Sequence, residues 1–316
     1  MTESDGQLFD LGYQHYEGPR EGRMRARKAL FVNGVRTSLG LGRSTTAKLL
    51  PFAFFAAIMA PAILLALGAS TIGDTLTPGA ELPGHADYYQ IVSLLILIFS
   101  AIIAPELLCS DRRNRVLSLY MVRPLTSTDY VAGRWVAFFA ITILLVYAGQ
   151  IVLLLGLALG ADEPLTYLKD NWLDIPRFLA AGAIVALLTT TIPLAVAGFT
   201  SRRAIASVFV IGLFVVTISV ANILVECKEH DVTIVNGQVV EERCEPLTGS
   251  AAKWLGLIDI GSAPIHLSDM IFDKEADEQL GIEVAKLNNV YPVLWYLLWI
   301  LGPGLVLLAR YRRMSP

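Results

Sequence analysis

The sequence predicts an all-α integral membrane protein with six transmembrane helices and both termini in the cytosol. A small disulfide-stapled β-hairpin is expected in the external loop before the last helix. Three observations carry this expectation: composition, the number and length of the apolar runs, and the placement of Lys and Arg between them. Of the 316 residues, 54% are hydrophobic and 17% charged. A water-soluble domain of that size needs more polar surface. The net charge of −3 says little, because the charges are segregated by region. No basic tail with interleaved aromatics occurs, and no base-stacking motif, so nucleic acid is not an expected partner. Three cysteines, Cys109, Cys227 and Cys244, suit neither a disulfide-rich scaffold nor a Cys-based zinc site.

Residues 1–48 are expected to form a cytosolic leader. Eight Lys or Arg face five acids there, and Gly18-Pro19 breaks any early helix. From Arg25 to Leu39 a helical stripe emerges. Phe31, Val32, Val35 and Leu39 share one face, with Arg25, Arg27 and Arg36 at or beyond its edges. A basic amphipathic helix just before a span lies in the membrane interface. A loosely ordered basic leader that only sets topology is the other reading, and Gly34 and Gly40 lower the helix propensity. The first apolar run starts near Leu49, so no cleaved signal peptide is expected.

Six apolar runs follow, at 49–69, 88–108, 135–160, 175–199, 205–225 and 290–309. Each is long enough to cross ~30 Å of hydrocarbon. The unit 49–225 therefore holds the first five helices, and 290–316 the sixth with a cytosolic tail. Orientation follows from the loops. The leader, the second and fourth loops and the tail hold eighteen basic residues, against six in the first, third and fifth loops. Both termini are therefore expected in the cytosol of a multi-pass plasma (inner) membrane protein.

The fifth loop, 226–289, is expected outside the membrane. Thirteen acids oppose five bases in it. Asn236-Gly237 between two β-prone runs is a strong hairpin signal. Pairing Val235 with Gln238 brings Cys227 and Cys244 almost opposite, offset by two positions. A disulfide there would persist outside the cytosol and contribute roughly 3 kcal/mol in the loop-entropy model. Two free thiols are the alternative. Further on, 251–260 and 263–272 are apolar but too short to span. They either dip into the outer leaflet or pack as a small external cap.

Chemistry is sparse. Gly40-Leu-Gly-Arg-Ser-Thr lacks the lysine and spacing of a phosphate-binding loop. No HExxH, no GxSxG and no carboxylate pair occurs within a span, so no catalytic group, cofactor site or metal site is expected on this chain. Charged residues are absent from the middle of every run. That disfavours an ion-coupled secondary transporter, which needs an ionisable group in the membrane. An integral-membrane lipid-modifying enzyme lacks the polar cluster to activate a nucleophile. The mild polar residues within the runs are expected chiefly as helix–helix hydrogen-bonding groups. Pro61 and Pro193 are expected to kink the first and fourth spans.

One stretch stands out, 106–134, between the second and third spans. Asp111 is placed to cap a short helix over 112–122, which stops at Arg123-Pro124. Leu117 and Met121 share its apolar face. Ser127 or Thr128 is placed to cap the third span, with Asp129 favourable at its N-terminal dipole. A capped helix with apolar and cationic groups, lying along the membrane, is a docking element.

Pro105-Glu106, Asp111-Arg112-Arg113, Leu117, Arg123-Pro124-Leu125, Tyr130 and Gly133-Arg134 resemble the first cytosolic loop of the membrane subunits of type-2 ATP-binding-cassette exporters (ABC-2 permeases). The leader from Asp10 to Arg23 is similar to the start of one subgroup of that family. The resemblance covers essentially the whole chain. It implies a permease that pairs with a second copy or a paralogue and with two separate ATPase subunits, which would carry the ATP and Mg2+. It implies that Glu106, Asp111, Arg112, Arg113, Arg115, Leu117 and Met121 couple the chain to those ATPases. The second and fifth spans would flank the central pathway, making Ser93, Ser100, Thr217, Ser219 and Asn222 its lining residues. Drugs, lipids, peptides, polysaccharide precursors and ions all fit the family as cargo.

Overall fold

A computed structural model describes residues 22–42, 44–72, 84–117, 120, 125–161, 163–225, 229–235, 238–245, 247, 249–276 and 279–314. Among them are six helices long and apolar enough to cross a membrane. The leader forms helix α1, Gly22–Ser38. The spans are α2 (Thr45–Ile72), α3 (His85–Arg113), α4 (Ser127–Gly160), α6 (Asp174–Ala197), α7 (Arg203–Val225) and α11 (Val290–Met314). A short helix α5, Pro164–Asp170, joins α4 to α6. Its proline sits in the first turn, where a missing N–H costs nothing. Pro61 and Pro193 lie inside continuous helices.

Helices α3, α4 and α6 form the inner layer, and their buried residues dominate the main core. By contrast α2, α7 and α11 expose many large apolar side chains, such as Leu64, Val208, Val216 and Leu305. In water that surface would be intolerable; in lipid it is the expected outer face. Polar groups inside the spans are mostly satisfied. Gln150 Oε1 lies 2.5 Å from His85 Nδ1, and Gln150 Nε2 donates to the His85 carbonyl at 3.0 Å. Trp135 Nε1 donates to Thr191 at 3.0 Å. The Tyr89 hydroxyl donates to the Phe178 carbonyl at 2.6 Å.

After α7 the chain forms an antiparallel pair, β1 (Glu229–Val235) and β2 (Gln238–Glu245). Val235 pairs with Gln238 as the turn signal requires, but the register shifts between Thr233 and Ile234. One residue of β2 is bulged out. Cys244 therefore faces His230 rather than residue 229. The offset between the two cysteine positions is three instead of the expected two. Position 227 and the Cys244 side chain lie outside the described residues, and no disulfide is found among those described. Cys109 is a buried free thiol.

The rest of the fifth loop folds as α8 (Ser250–Leu255), a 3-10 turn (Gly256–Ile258), α9 (Ala263–Phe272) and α10 (Gln279–Ala285). The first and third of these are bent by 114° against each other. Ile260, Ala263 and Leu267 pack with Leu97, Ala101 and Phe214, residues halfway along α3 and α7. Helix α9 thus lies among the spans, whereas Ala252 of α8 packs at the end of α7 with Ala221, Val225 and Leu280. Lys274, just beyond α9, bonds Asp87 at 2.7 Å and ties the insertion to the start of α3.

Candidate functional site

The stretch expected to begin a new helix at Asp111 does something else. Helix α3 runs on through Asp111 to Arg113 before it stops. Val116 N–H donates to the Asp111 carbonyl, and Arg115 N–H to the Arg112 carbonyl. These paired bonds, with Arg115 at φ 55, are the helix-ending turn normally built on glycine. Asp111 is therefore not an N-cap. Its carboxylate turns inward, where it accepts from the Tyr130 hydroxyl at 2.7 Å and from an Arg134 terminal nitrogen at 2.6 Å. Arg134 is 2% exposed and lies 5.7 Å from the Tyr130 ring centre. Tyr130 in turn stacks on Tyr311 of α11 at 5.5 Å and approaches Tyr120 at 5.6 Å. The ends of α3 and α4 meet on this one carboxylate, and Tyr130 carries the contact on to α11 and to the turn after α3.

Beyond the turn, Tyr120 N–H donates to the Val116 carbonyl, one helical turn. Leu117 and Tyr120 are partly buried against the main core. Met121 of the expected apolar face lies outside the described residues, with 118–119 and 122–124. Arg113 and Arg115 are exposed. Arg112 instead donates to the Gly198 and Thr200 carbonyls, across at the C-terminal end of α6. Glu106 pairs with Arg203 at the start of α7 at 3.0 Å. The expected coupling residues thus divide into an inward set (Glu106, Asp111, Arg112) that joins span ends, and an exposed set (Arg113, Arg115).

The start of α4 is capped by Thr126, not by Ser127 or Thr128. Thr126 Oγ accepts from Asp129 N–H at 3.2 Å, and Asp129 accepts from Thr126 N–H at 3.0 Å. This reciprocal box satisfies two donors at the helix start. Asp129 does a second job. Arg23 and Arg27 of α1 each bond one of its oxygens, both with closest approaches of 2.6 Å. The leader is thereby clamped to the third span by two side-on guanidinium pairs.

Small residues let that clamp close. A Cβ added at Gly34 would meet Ala137 Cβ at 2.6 Å, and one at Gly133 would meet Leu30 at 2.7 Å. The buried face of α1 is Leu30, Gly34 and Ser38. It is rotated from the expected stripe of Phe31, Val32, Val35 and Leu39, of which Val32 is exposed. Gly34, expected to weaken the helix, is its closest packing position. The sequence did not announce Arg23, Arg27, Asp129, Tyr130 or Arg134 as one constellation. The available signal was a box of the Thr-x-x-Asp kind at 126–129 and a basic pair four residues apart.

A family model described as ABC-2 family transporter protein matches residues 10–315. The chain belongs to that family. No curated protein matches it.

In this ABC-2 transporter protein the expected pathway residues are spread out. Ser93 is half-buried and donates back to the Gln90 carbonyl at 3.3 Å. Ser100 is fully buried in α3, and its hydroxyl has no partner among the described residues. Thr217 donates to the Phe214 carbonyl at 3.1 Å. Ser219 is exposed on α7 and Asn222 partly so. Helices α3 and α7 do pack together. Among the described residues no group of three or more His, Cys, Asp or Glu is arranged to hold a metal ion.

Proposed function

We propose that this ABC-2 protein is the membrane-spanning permease subunit of an ATP-driven exporter, and that force from separate ATPases enters at 111–134. One observation carries the proposal. Exposed Arg113 and Arg115 are covalently continuous with Arg112 and Asp111, which bond the ends of α6 and α4. A push on the outward pair therefore reaches two inner spans through a single turn. Helix α1, clamped on Asp129, completes the docking face.

In this reading both termini are cytosolic in the plasma membrane. Two ATPase subunits, holding ATP and Mg2+, dock from the cytosol. A second permease copy or a paralogue completes the pathway, with Ser93, Ser100, Thr217, Ser219 and Asn222 as its candidate lining. Nucleotide binding draws the ATPases together and rocks the permeases, moving cargo outward. The Cys227–Cys244 bridge would staple the external hairpin.

The test is the double variant Arg113→Glu/Arg115→Glu, purified with its ATPase partner and reconstituted. Stimulated ATP hydrolysis is expected to fall at least about tenfold, equivalent to ~1.4 kcal/mol of lost coupling, while insertion and complex assembly persist. Wild-type stimulation in an inserted, assembled variant would refute the coupling assignment.

A further inference from the structure

A groove of about 550 Å3 runs between α6, α7 and α11. That volume lies within the ~300–1,000 Å3 of small-ligand sites. Its walls include Ala195, Ile205, Phe209, Trp299 and Pro303, and no charged residue lines it. Phe199 and Val306 are shared with a second cavity, whose remaining wall is Ala309, Arg310 and Arg313. The apolar trough therefore opens onto two guanidinium groups.

Arg310 is held there in a fixed pose. Its Nε donates to the Gly198 carbonyl at 2.8 Å, and its guanidinium lies 4.5 Å from the Phe199 ring centre. Those contacts engage one of five N–H donors. Arg313 is exposed and forms no hydrogen bond or ion pair among the described residues. No carboxylate lines either cavity. From Trp299 to Ala309 the groove and the second cavity together follow about 15 Å of helix. That is the depth of one leaflet of a ~30 Å hydrocarbon core, and the arginines follow where headgroups begin.

We propose that this groove binds one anionic phospholipid, its acyl chain along α11 between α6 and α7 and its phosphate on Arg310 and Arg313. A soluble anion would leave the trough unfilled. A second protein chain would have to bury two cations at the edge of an apolar contact, where interface cores are depleted of charge. The phosphodiester of a lipid satisfies both ends, because guanidinium matches phosphate oxygens in geometry as well as charge. On the other side of α11 a groove of about 320 Å3 between α4 and α6 has no charged residue in its lining. It offers nothing to distinguish headgroups and serves as the internal comparison.

The test uses the full chain, purified in mild detergent and exposed to equal amounts of phosphatidylglycerol and phosphatidylcholine with identical acyl chains. Bound lipid is counted by native mass spectrometry. Phosphatidylglycerol is expected to be retained in preference. Arg313→Gln, an exposed change, is expected to cut the preference about fivefold, the worth of one basic residue at an anionic membrane surface. Val306→Trp, which fills the groove from an exposed position, is expected to lower retention of phosphatidylglycerol. Equal retention of the two lipids by the wild type overturns the proposal. So does a preference that survives both variants. Displacement of the lipid by glycerol phosphate, with Val306→Trp silent, would reveal a headgroup-only anion site and also overturn it. Absence of bound lipid, with Val306→Trp breaking up a wild-type dimer, would make the groove a permease–permease interface instead. None of these readouts depends on ATP hydrolysis, so the exporter reading stands or falls separately.

Discussion

Arg134 carries a full charge within the protein, and one terminal nitrogen bonds Asp111. Its Nε and other terminal nitrogen have no partner among the described residues. A buried ion pair adds little over a well-packed apolar pair, but removing one member strands the other. Asp111→Asn and Arg134→Met are therefore each expected to destabilise the protein by ~3–5 kcal/mol. The double variant Asp111→Leu/Arg134→Met is expected to lose less than the sum of the single variants, measured by denaturant unfolding in detergent. Strict additivity would mean that the two residues act alone. Both charges were plain in the sequence, but their pairing was not. They lie 23 positions apart across a chain reversal, and helical periodicity relates only neighbours on one helix.

Helix α1 shows how an element is placed by what it lacks. That a basic helix forms before the first span was legible from the spacing of Val35, Leu39 and the arginines. Which face turns inward was decided by the partner. Gly34 against Ala137 and Leu30 against Gly133 bring the two backbones together, and hydropathy gives no weight to glycine as a contact. Gly34→Val is expected to cost ~1–3 kcal/mol of docking through overpacking. The readout is trypsin cleavage after Arg27, expected to speed up about tenfold; an unchanged rate would show that α1 docks by its arginines alone. The turn after α3 was missed for a related reason. Asp111 looked like a cap because Asp favours helix starts, whereas its tertiary partners Tyr130 and Arg134 recruited it, and the termination fell to Arg115, a residue with no terminating propensity.

At the scale of the molecule, all six spans were readable, because run length alone measures the bilayer, although the third begins at Ser127, eight residues before the expected start. Their layering was not, since inner and outer spans are equally apolar. Small residues separate them: Gly149 admits Tyr88, and Gly182 admits Tyr89 and Val146. The packing of α9 among the spans was left open by the sequence, because short apolar runs suit a cap as well as an intrusion. Orientation and the hairpin bridge can be probed together. With a membrane-impermeant maleimide on intact cells, Cys227 and Cys244 are expected to label only after reduction, and Ser315→Cys only after the membrane is opened. Labelling of the tail from outside would invert the topology, and labelling of both loop cysteines without reductant would exclude the bridge.

The clamp between α1 and Asp129 also has a consequence in time. Its partners are 106 residues apart along the chain. At roughly 5–20 residues per second of synthesis, Arg23 leaves the ribosome roughly 5–20 s before Asp129 exists to receive it. During that interval the leader has only the lipid surface to hold its apolar face. Assembly is thereby ordered: the part made first docks only after the start of the third span has been made.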